Sequence, residues 1–528
     1  MRLSHSFALL IALALPAFAQ DGVPDGAQVP TAQADPSAPV GAAASPPTLG
    51  AALIDSPLAA ALGSVSEDPL FSNAAVSVQV VNVRTGEEVY AWGDDKPLVP
   101  ASTMKILTTA AALRTLGPNY HFPTWILQDE KVGADGVQPG NLYGKGQGDP
   151  TMVVERMWRR VQDLKVRGVR EVKGDVVFDD GYFVGTTLVP GWDKDEDIES
   201  GPTYFATLGA LSVNYNVATM VVRPGASAGQ AASAEFDCPT PAIVLENKLL
   251  TGSKNSRKWV KIERTLDEET QKITTFTLTG NIPAESEPDF YYRTIADPLA
   301  NYIGAMQSVF KQQGIKVKGR FRAGAAPKSA TILHRVDSVP LTDIIATLSK
   351  HSNNFMAEQL LRSMGAERFG LPGTTENGVR AVADYLATLG IPPDQFRLVN
   401  GSGLSRDVTV RPSTINAVLL DMYRSPDLGP EFVSSLSVGG RDGTLWSRYR
   451  DAGMTGRVRG KTGTLLGVHC LSGYVHAADD EVYAFTFLVN GIDGALSRAR
   501  KAHDRLVVTV AGATGNVADG GDGDQPAP

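Results

Sequence analysis

Cysteine is scarce in this chain, whose 528 residues include only two, Cys238 and Cys470. One bridge at most can join them, so disulfides cannot be the main support of a chain this long, and apolar cores must stabilise it. Cys470 lies in an apolar, strand-like run, where we expect a small buried residue. Pairing with Cys238 is the alternative.

Histidine and positive charge are also limited. The seven histidines show no metal-ligand spacing and no His-Glu-x-x-His motif occurs, which argues against a metal hydrolase. We therefore expect neither a bound metal nor another cofactor. The net charge of -8 argues against nucleic acid as a partner, because nucleic acid is itself a polyanion.

Long apolar runs are missing from the chain after its N-terminus. No stretch there approaches the ~20 uninterrupted apolar residues of a membrane-spanning helix. The N-terminus combines Arg2, an apolar run over 7–15, Pro16 and a small-residue cleavage site at 17–19. This pattern predicts a secretory signal peptide over 1–19, and no cysteine follows it to carry a lipid. We predict a periplasmic or otherwise exported protein that is soluble after cleavage.

Both ends of the mature chain are poor in large apolar side chains. Residues 20–50 and 512–528 are rich in small and polar residues, Ala, Gly and Asp among them, so they cannot bury enough surface to offset the entropy cost of ordering. We expect a flexible leader and a disordered tail, and no chemistry in either.

The segments that predict the main folded unit lie far apart along the chain. Alternating apolar residues predict strands over 76–80 and 89–92, and two apolar runs predict strands over 467–477 and 481–492. With their flanking helices, these segments can form one antiparallel sheet with helices on its faces. Residues 120–325 then become an insertion, in which short alternating segments predict one or two mostly β modules.

Ser102 and Lys105 lie three residues apart near the start of a predicted amphipathic helix, so their side chains face the same way. A serine hydroxyl is a weak nucleophile unless a base within hydrogen-bond reach removes its proton. Lys105 can be that base only when it is neutral, which requires burial or a nearby positive charge such as Lys461. Taken alone, the pair also fits an ordinary helix start, because Ser-x-x-Lys arises by chance about once in a chain of this length.

Ser352 and Asn354 fall at a predicted helix-loop-helix junction. Ser352 can relay a proton to a leaving amine, and the Asn354 side chain can bind the backbone amide of a substrate. The alternative is loop capping, since Ser and Asn favour such junctions for their own hydrogen bonds.

Lys461, Thr462, Gly463 and Thr464 place a charge and two hydroxyls on the edge of a predicted strand. Gly463 permits the close approach of another backbone segment, and this edge suits a substrate that ends in a carboxylate. We expect the backbone N–H groups of Ser102 and Thr464 to form an oxyanion hole.

A competing hydrolase signal is the Gly-x-Ser-x-Gly pattern at residues 225–229. A nucleophile elbow needs a preceding strand and a following helix, and no helical periodicity follows this pattern. We interpret it as a chance match.

In this order, Ser-x-x-Lys, Ser-x-Asn and Lys-Thr-Gly are the motifs of penicillin-binding proteins and serine β-lactamases. With the long separation of Ser102 from Ser352, the chain resembles, over residues 51–510, the D-alanyl-D-alanine carboxypeptidase/endopeptidase family of class C low-molecular-mass penicillin-binding proteins. Six further stretches match this family, at residues 148–151, 179–180, 190–192, 211–214, 401–406 and 440–445.

The resemblance implies an α+β fold. A penicillin-binding-protein/serine β-lactamase-like catalytic domain, an antiparallel sheet flanked by helices, is expected to carry a large, mostly β insertion. The implied ranges are a catalytic domain over 51–119 and 326–511, an inserted domain II over 120–145 and 228–325, and a nested domain III over 146–227.

The resemblance also implies a subsite for the diamino-acid side chain of a peptidoglycan stem peptide. The positions that match it are Trp192, Asp195, Ser402 and Arg406. Asp195 lies in an acidic loop, for which a solvated surface turn is the alternative interpretation.

The function that the resemblance implies is that of a serine DD-peptidase. Such an enzyme cleaves D-Ala-D-Ala stem peptides, D-Ala cross-links of peptidoglycan, or both, through an acyl-enzyme, and β-lactam antibiotics acylate it. One alternative is a β-lactamase or esterase on the same scaffold, which the long insertion disfavours. The other is a non-catalytic peptidoglycan-binding module, which is disfavoured because every catalytic side chain of the motifs is present.

Overall fold

A computed structural model describes residues 61–63, 68–93, 95–185, 187–192, 200–450, 453–492 and 496–512, which all belong to one compact unit, Pro47–Pro528. The predicted signal peptide, the leader, Asp195 and nearly all of the predicted tail lie outside the described residues. Within the described ranges, no helix is long and apolar enough to cross a membrane.

Several helix boundaries have local causes. The main helices of the described ranges are α1 (Met104–Leu116), α2 (Val154–Val166), α3 (Pro298–Gln313), α4 (Leu341–His351), α5 (Asn354–Phe369), α6 (Thr375–Thr388), α7 (Pro412–Arg424), α8 (Gly429–Ser435) and α9 (Leu496–Val510). Asp297 caps α3 by accepting the backbone N–H of Ala300. Gly314 ends that helix in the left-handed conformation.

Short strands make up much of the rest of the chain. They are β1 (Ala75–Asn82), β2 (Glu88–Trp92), β3 (Pro123–Gln128), β4 (Val137–Gln138), β5 (Leu142–Gly146), β6 (Glu171–Val172), β7 (Val176–Asp179), β8 (Val217–Arg223), β9 (Ser233–Phe236), β10 (Ile243–Gly252), β11 (Trp259–Leu266), β12 (Thr274–Pro283), β13 (Asp289–Thr294), β14 (Lys316–Val317), β15 (Phe321–Ala323), β16 (Thr331–Asp337), β17 (Phe396–Arg397), β18 (Thr409–Val410), β19 (Ser437–Val438), β20 (Val458–Leu465), β21 (Val468–His476) and β22 (Val482–Asn490).

Strands from both ends of the chain form one antiparallel six-stranded sheet, in the order β19-β20-β21-β22-β1-β2. β1 pairs with β22 along its whole length, from Ala75 opposite Asn490 to Asn82 opposite Tyr483. One face of the sheet packs on α1, α5 and α7, and the other packs on α9. The predicted α+β fold, with a sheet assembled from distant segments, is confirmed.

The insertion is built from several smaller sheets. A five-stranded sheet, in the order β15-β7-β5-β3-β16, shares an apolar core with α2 and α3, and β16 joins it from beyond the predicted end of the insertion at 325. Two three-stranded sheets, β10-β12-β11 and β13-β8-β9, share a second core that includes Met220 and Phe276. The insertion is therefore mostly β, as predicted, although it also contains two long helices.

Strand pairing groups the insertion differently from the boundaries predicted at 146 and 227. β7 lies in the predicted domain III but pairs in parallel with β5, and α2 forms the crossover between these two strands. β8, at the other end of that range, pairs with β9 and β13. Pairing between distant strands is not visible in local alternation, and the division of the insertion into two domains stays a prediction.

The helix that follows the nucleophile is not amphipathic, contrary to the prediction. Every residue from Met104 to Leu113 in α1 is buried. The reason is tertiary, because α1 lies between the sheet and helices α4, α5, α6 and α7 and has neighbours on all sides. A central helix of this kind must bury its polar side chains too, Lys105 among them.

The two cysteines do not pair. Both are free thiols, Cys238 partly exposed and Cys470 buried. Burial raises the pKa of the Cys470 thiol to about 12. The prediction of a small buried residue at Cys470 is confirmed, and the stability of the chain comes from its apolar cores.

Candidate active site

The turn before α1 presents Ser102. Ala101–Thr103 form a 3-10 turn, in which Ala101 has a φ of 47°, an uncommon conformation for a residue with a side chain. α1 begins at Met104, which places Lys105 in its first turn. Lys105 has no exposed surface, whereas Ser102 is partly exposed.

Three oxygen atoms surround the side-chain nitrogen of Lys105. Its Nζ lies 2.8 Å from Oγ of Ser102, 2.6 Å from Oδ1 of Asn354 and 2.8 Å from the carbonyl oxygen of Ser402. The amide and carbonyl oxygens can only accept hydrogen bonds, so they take two N–H groups of the amine. A neutral amine has just these two N–H groups, and its lone pair then faces the hydroxyl of Ser102. The arrangement therefore fits a neutral lysine that acts as a base.

The electrostatics agree with this geometry. Burial lowers the pKa of Lys105 well below its ordinary value, and the neighbouring Lys461 ammonium lowers it further, while the carboxylate of Glu358 raises it. Burial also lowers the pKa of Lys461, to about 7. Because the charge of Lys461 acts on Lys105, we infer that Lys105 is the first of the two lysines to lose its proton as the pH rises.

The predicted helix-loop-helix junction lies beside Lys461. α4 ends at His351, Ser352 adopts a left-handed φ of 55°, and Asn353 caps α5 by accepting the backbone N–H of Met356. The Nζ of Lys461 lies 2.8 Å from Oγ of Ser352. The turn thus brings the second motif into hydrogen-bond contact with the third.

β20 approaches the nucleophile turn most closely at Gly463. A Cβ atom at this position would lie 2.6 Å from the carbonyl oxygen of Pro100 and 3.1 Å from the backbone nitrogen of Ser102. The predicted need for glycine at a close backbone approach is confirmed. Thr464 follows on the strand and is exposed, and the oxyanion hole formed by its N–H and that of Ser102 stays a prediction.

The hydroxyl of Thr462 is oriented from a neighbouring turn. Its Oγ1 donates to Oγ1 of Thr444 at 2.9 Å, and Thr444 in turn lies 3.3 Å from Oγ of Ser437. Thr444 belongs to the family-like stretch 440–445. This chain of hydroxyls fixes one side of the strand edge on which Lys461 lies.

Both ends of the Asn354 side chain have protein partners. Oδ1 accepts from Lys105, and Nδ2 donates to the carbonyl oxygen of Tyr204 at 3.0 Å. Asn354 therefore holds the base, a contact that the sequence did not predict. The expected contact with a substrate amide stays a prediction.

The predicted diamino-acid subsite is described in part, because Asp195 lies outside the described residues. Trp192 is completely buried and packs against Phe205 with ring centroids 5.5 Å apart. Its indole N–H has no hydrogen-bond partner among the described residues. In this structure Trp192 is therefore part of the core and presents no open surface.

The other two subsite residues differ in exposure. Ser402 is buried and contacts Lys105 through its backbone, whereas Arg406 is exposed and donates to the carbonyl oxygen of Leu466 at 2.6 Å. Nδ2 of Asn400 donates to the carbonyl oxygen of Pro190 at 3.1 Å. This bond places the segment that carries Trp192 beside the segment that carries Ser402 and Arg406.

The competing Gly-x-Ser-x-Gly pattern lies in an exposed loop between β8 and β9. A strand follows it, not the helix that a nucleophile elbow requires. Elsewhere in the described ranges, no group of three or more His, Cys, Asp or Glu side chains could hold a metal ion. The acyl-transfer cluster around Lys105 is thus the arrangement that explains the motifs.

Comparison with known proteins agrees with the geometry. A model of the D-Ala-D-Ala carboxypeptidase 3 (S13) family matches residues 58–510. The chain belongs to the S13 family. This membership confirms the family resemblance and the class of enzyme that it implied, a D-Ala-D-Ala carboxypeptidase.

Individual S13 relatives cover most of the chain. The D-alanyl-D-alanine carboxypeptidase of Actinomadura sp. (strain R39) is 32% identical over 474 residues, which are 87% of this chain and 85% of the relative. The D-alanyl-D-alanine carboxypeptidase DacB of Haemophilus influenzae is 24% identical over 415 residues, 78% of this chain and 84% of the relative. The crystal structure of penicillin binding protein 4 (dacB) from Haemophilus influenzae superposes with a TM-score of 0.74 at 22% identity. The match covers 85% of this chain and 98% of the crystallised chain. The two proteins therefore share a fold.

Two residues of this S13 site were missed in the sequence. Glu358 is buried one helical turn after Asn354, and Thr108 is buried one turn after Lys105. Both contact the turn that contains Gly401. Helical spacing places each of them on the same helix face as a motif residue, since positions i+3 and i+4 share the face of i, but spacing does not show the distant turn that they contact.

Proposed function

We propose that this S13 family member is a serine DD-peptidase that cleaves D-Ala-D-Ala stem peptides, D-Ala cross-links of peptidoglycan, or both, through an acyl-enzyme at Ser102. The observation that carries the proposal is the position of the Lys105 Nζ, 2.8 Å from Oγ of Ser102 with two acceptor-only oxygens beside it. A buried amine in these surroundings supplies the base that a serine nucleophile needs.

Acylation begins with proton transfer from Ser102. The lone pair of Lys105 takes the hydroxyl proton as Oγ forms a bond to the carbonyl carbon of the penultimate D-Ala. The backbone N–H groups of Ser102 and Thr464 donate to the resulting oxyanion. As the C–N bond breaks, the proton passes from Lys105 by way of the Ser352 hydroxyl to the departing amine.

Deacylation repeats these steps with water. Lys105 accepts a proton from a water molecule, whose oxygen attacks the ester carbonyl carbon of the acyl-enzyme. The ester C–O bond then breaks and Ser102 regains its proton. The shortened peptide leaves with a new carboxylate, and the base is neutral again.

The third motif binds the carboxylate that ends a D-Ala-D-Ala peptide. The cationic form of Lys461 attracts it and the hydroxyl of Thr464 donates to it, while the Thr462 hydroxyl donates once its hydrogen turns from Thr444 to the substrate. The hydrogen bond of Thr462 with Thr444 supports this assignment, because it fixes the strand edge before substrate arrives. A substrate with a C-terminal amide loses the charge part of this interaction.

β-Lactam antibiotics are proposed to acylate the same serine. The lactam carbonyl carbon takes the place of the D-Ala carbonyl carbon, and the amine produced by ring opening stays attached to the acyl group. A solved structure of the Haemophilus influenzae relative is a complex with a β-lactam, which supports this part of the proposal.

Asp195 and Arg406 are proposed to recognise the side chain of the stem-peptide diamino acid, and the buried side chains of Trp192 and Ser402 are proposed to hold their two segments in place. Asp195 can pair with an ammonium group and Arg406 can hold a carboxylate with two hydrogen bonds. Peptidoglycan lies outside the cytoplasmic membrane, so the predicted signal peptide over 1–19 and export to the periplasm fit this substrate.

The proposal is tested with Ser102→Ala. This variant is expected to lose covalent labelling by fluorescent penicillin and hydrolysis of defined stem peptides, while circular dichroism shows an unchanged fold. The wild-type acyl-enzyme is expected to persist beyond seconds, as a peptidase acyl-enzyme does and a β-lactamase acyl-enzyme does not. Labelling of another serine in Ser102→Ala would overturn the assignment.

A further inference from the structure

A buried carboxyl group, that of Glu358, lies near the base Lys105. Glu358 is on α5, one helical turn after Asn354, and has no exposed surface. Its carboxylate oxygens accept the backbone N–H of Gly401, at 3.1 and 3.0 Å, and that of Ser402, at 2.7 Å. A buried carboxylate is costly unless it is hydrogen-bonded, and here its partners belong to a single turn: the two backbone N–H groups and the Ser402 side chain.

The same turn is held from its other side by α1. The carbonyl oxygen of Ser402 accepts from Nζ of Lys105 at 2.8 Å, and that of Gly401 accepts from Oγ1 of Thr108 at 2.6 Å. Ser402 therefore joins the carboxylate to the base, since its N–H donates to Glu358 and its carbonyl oxygen accepts from Lys105.

The turn also contacts the nucleophile. A Cβ atom on Gly403, whose φ is +76°, would lie 2.0 Å from the carbonyl oxygen of Ala101, the residue before Ser102. Such an approach is open to glycine alone. A shift of this turn would therefore move the surroundings of both the base and the nucleophile.

The electrostatic surroundings of Lys105 and Glu358 involve charged groups from two helices and one strand. Lys105 comes from α1, Lys461 from β20, and Arg362 from α5, one turn after Glu358. Burial raises the pKa of Glu358, against the hydrogen bonds from Gly401 and Ser402 and the Lys105 charge, which lower it. Glu358 and Lys461 act on the Lys105 pKa in opposite directions.

We propose that Glu358 is a positioning residue for acyl transfer, which holds the carbonyl oxygen of Ser402 against Lys105 and so aims the amine lone pair at Ser102. Its negative charge also sets the pH at which the base becomes neutral. The inference rests on the proposed function and adds a residue that touches neither the substrate nor the nucleophile.

The experiment measures the rate constant of acylation by a fluorescent penicillin as a function of pH, in folded variants checked by circular dichroism. In Glu358→Gln the rate at the plateau should fall by about 10- to 100-fold, because the amide nitrogen cannot accept an N–H and the turn shifts. The midpoint of the profile should move to lower pH, because the charge that favours protonated Lys105 is gone.

Two matched variants separate charge from structure. Thr108→Val removes a hydrogen bond to the same turn without changing any charge, so it should lower the rate and leave the midpoint in place. Glu367→Gln makes the same substitution at the exposed end of α5, where Glu367 accepts from Tyr120 and Tyr182. It should change neither quantity.

A wild-type midpoint in Glu358→Gln would overturn the inference, and so would a wild-type plateau. If Glu358→Gln does not fold, Glu358→Asp takes its place: the charge stays, so the midpoint should stay, while the shortened side chain should lower the rate. A full rate in Glu358→Asp would equally contradict the inference. Ser102→Ala, run in parallel, reports separately on the proposed function, because only labelling of that variant would overturn it.

Discussion

The charged side chains of the catalytic site and those of a surface ion pair in the insertion have opposite surroundings. Around the nucleophile, Lys105, Lys461 and Glu358 have no exposed surface, and their pKa values shift because of burial. In the insertion, Lys254 and Glu285 form an ion pair at 2.6 Å in which both side chains remain 68% exposed. Buried charges are costly and exposed pairs contribute little. The insertion also buries one ion pair, Arg160 with Asp149, so burial of a charge alone does not mark the catalytic site.

This contrast shows that environment, not residue type, decides what a lysine does. Lys254 lies at the surface beside a carboxylate. Lys105 has no exposed surface, and its Nζ contacts two acceptor oxygens and one hydroxyl. Only the second set of surroundings turns an amine into a base near neutral pH.

The largest expected effect tests the buried side of the comparison. Lys105→Met keeps the volume of the side chain but removes the base, so acylation by fluorescent penicillin should fall by about 10³-fold or more. Stopped-flow fluorescence measures the rate constant, and circular dichroism controls for folding. Acylation within tenfold of wild type would mean that another group activates Ser102.

Gly463→Ala should have the next largest effect. The added Cβ would lie 2.6 Å from the carbonyl oxygen of Pro100, so β20 must move away from the nucleophile turn, and a displacement of this order costs about 100-fold in rate. The same assay measures it. Gly63→Ala is the matched control, since among the described residues no heavy atom other than those of its own chain neighbours lies within 4 Å of its Cβ position. Equal rates in the two variants would contradict the close-approach argument.

The pH dependence of peptide cleavage sharpens the comparison further. Lys105 has a lowered pKa and acts when neutral, so kcat/KM should rise with pH through that pKa. Lys461 attracts the substrate carboxylate when it is cationic, so kcat/KM should fall above the Lys461 pKa of about 7. For the matched substrate with a C-terminal amide, kcat/KM should rise with pH but should not fall at higher pH. If kcat/KM falls equally for the carboxylate and the amide substrate, Lys461 does not bind the carboxylate.

The smallest effect is expected on the exposed side of the comparison. Lys254→Ala should change the free energy of unfolding by less than about 1 kcal/mol, because an exposed pair is screened by water and salt. Urea unfolding measures this change, and acylation should stay at the wild-type rate. A large loss of either would show that the insertion supports the site through its surface charges.

The sequence predicted those parts of the site that depend on short-range patterns. A separation of three residues at a predicted helix start brought Ser102 and Lys105 together, and two apolar runs predicted β21 and β22, the strands that follow Lys461. Glu358 escaped detection because its partners lie 43 and 44 positions further along the chain. A hydrogen bond between a side chain and a distant backbone turn leaves no periodic signal in the sequence.

The error at α1 has the same origin. Its sequence predicts an amphipathic helix because the sequence does not show the four helices that surround it. Tertiary packing, not local propensity, decides how much of this helix is buried. Pairing of β5 with β7 likewise crosses the boundary predicted at 146, and the division of the insertion stays a prediction.

The most direct test of the central claim is an NMR titration of lysine side chains labelled at the ε carbon, with the Lys105 signal assigned by its loss in Lys105→Met. We predict that Lys105 titrates well below the ordinary lysine value of about 10.4 and that the acylation rate follows the same curve. In Lys461→Ala this titration should move to higher pH, because a positive neighbour is gone. A Lys105 signal that titrates at the ordinary lysine value while acylation is already at its plateau would contradict the claim that this amine is the base.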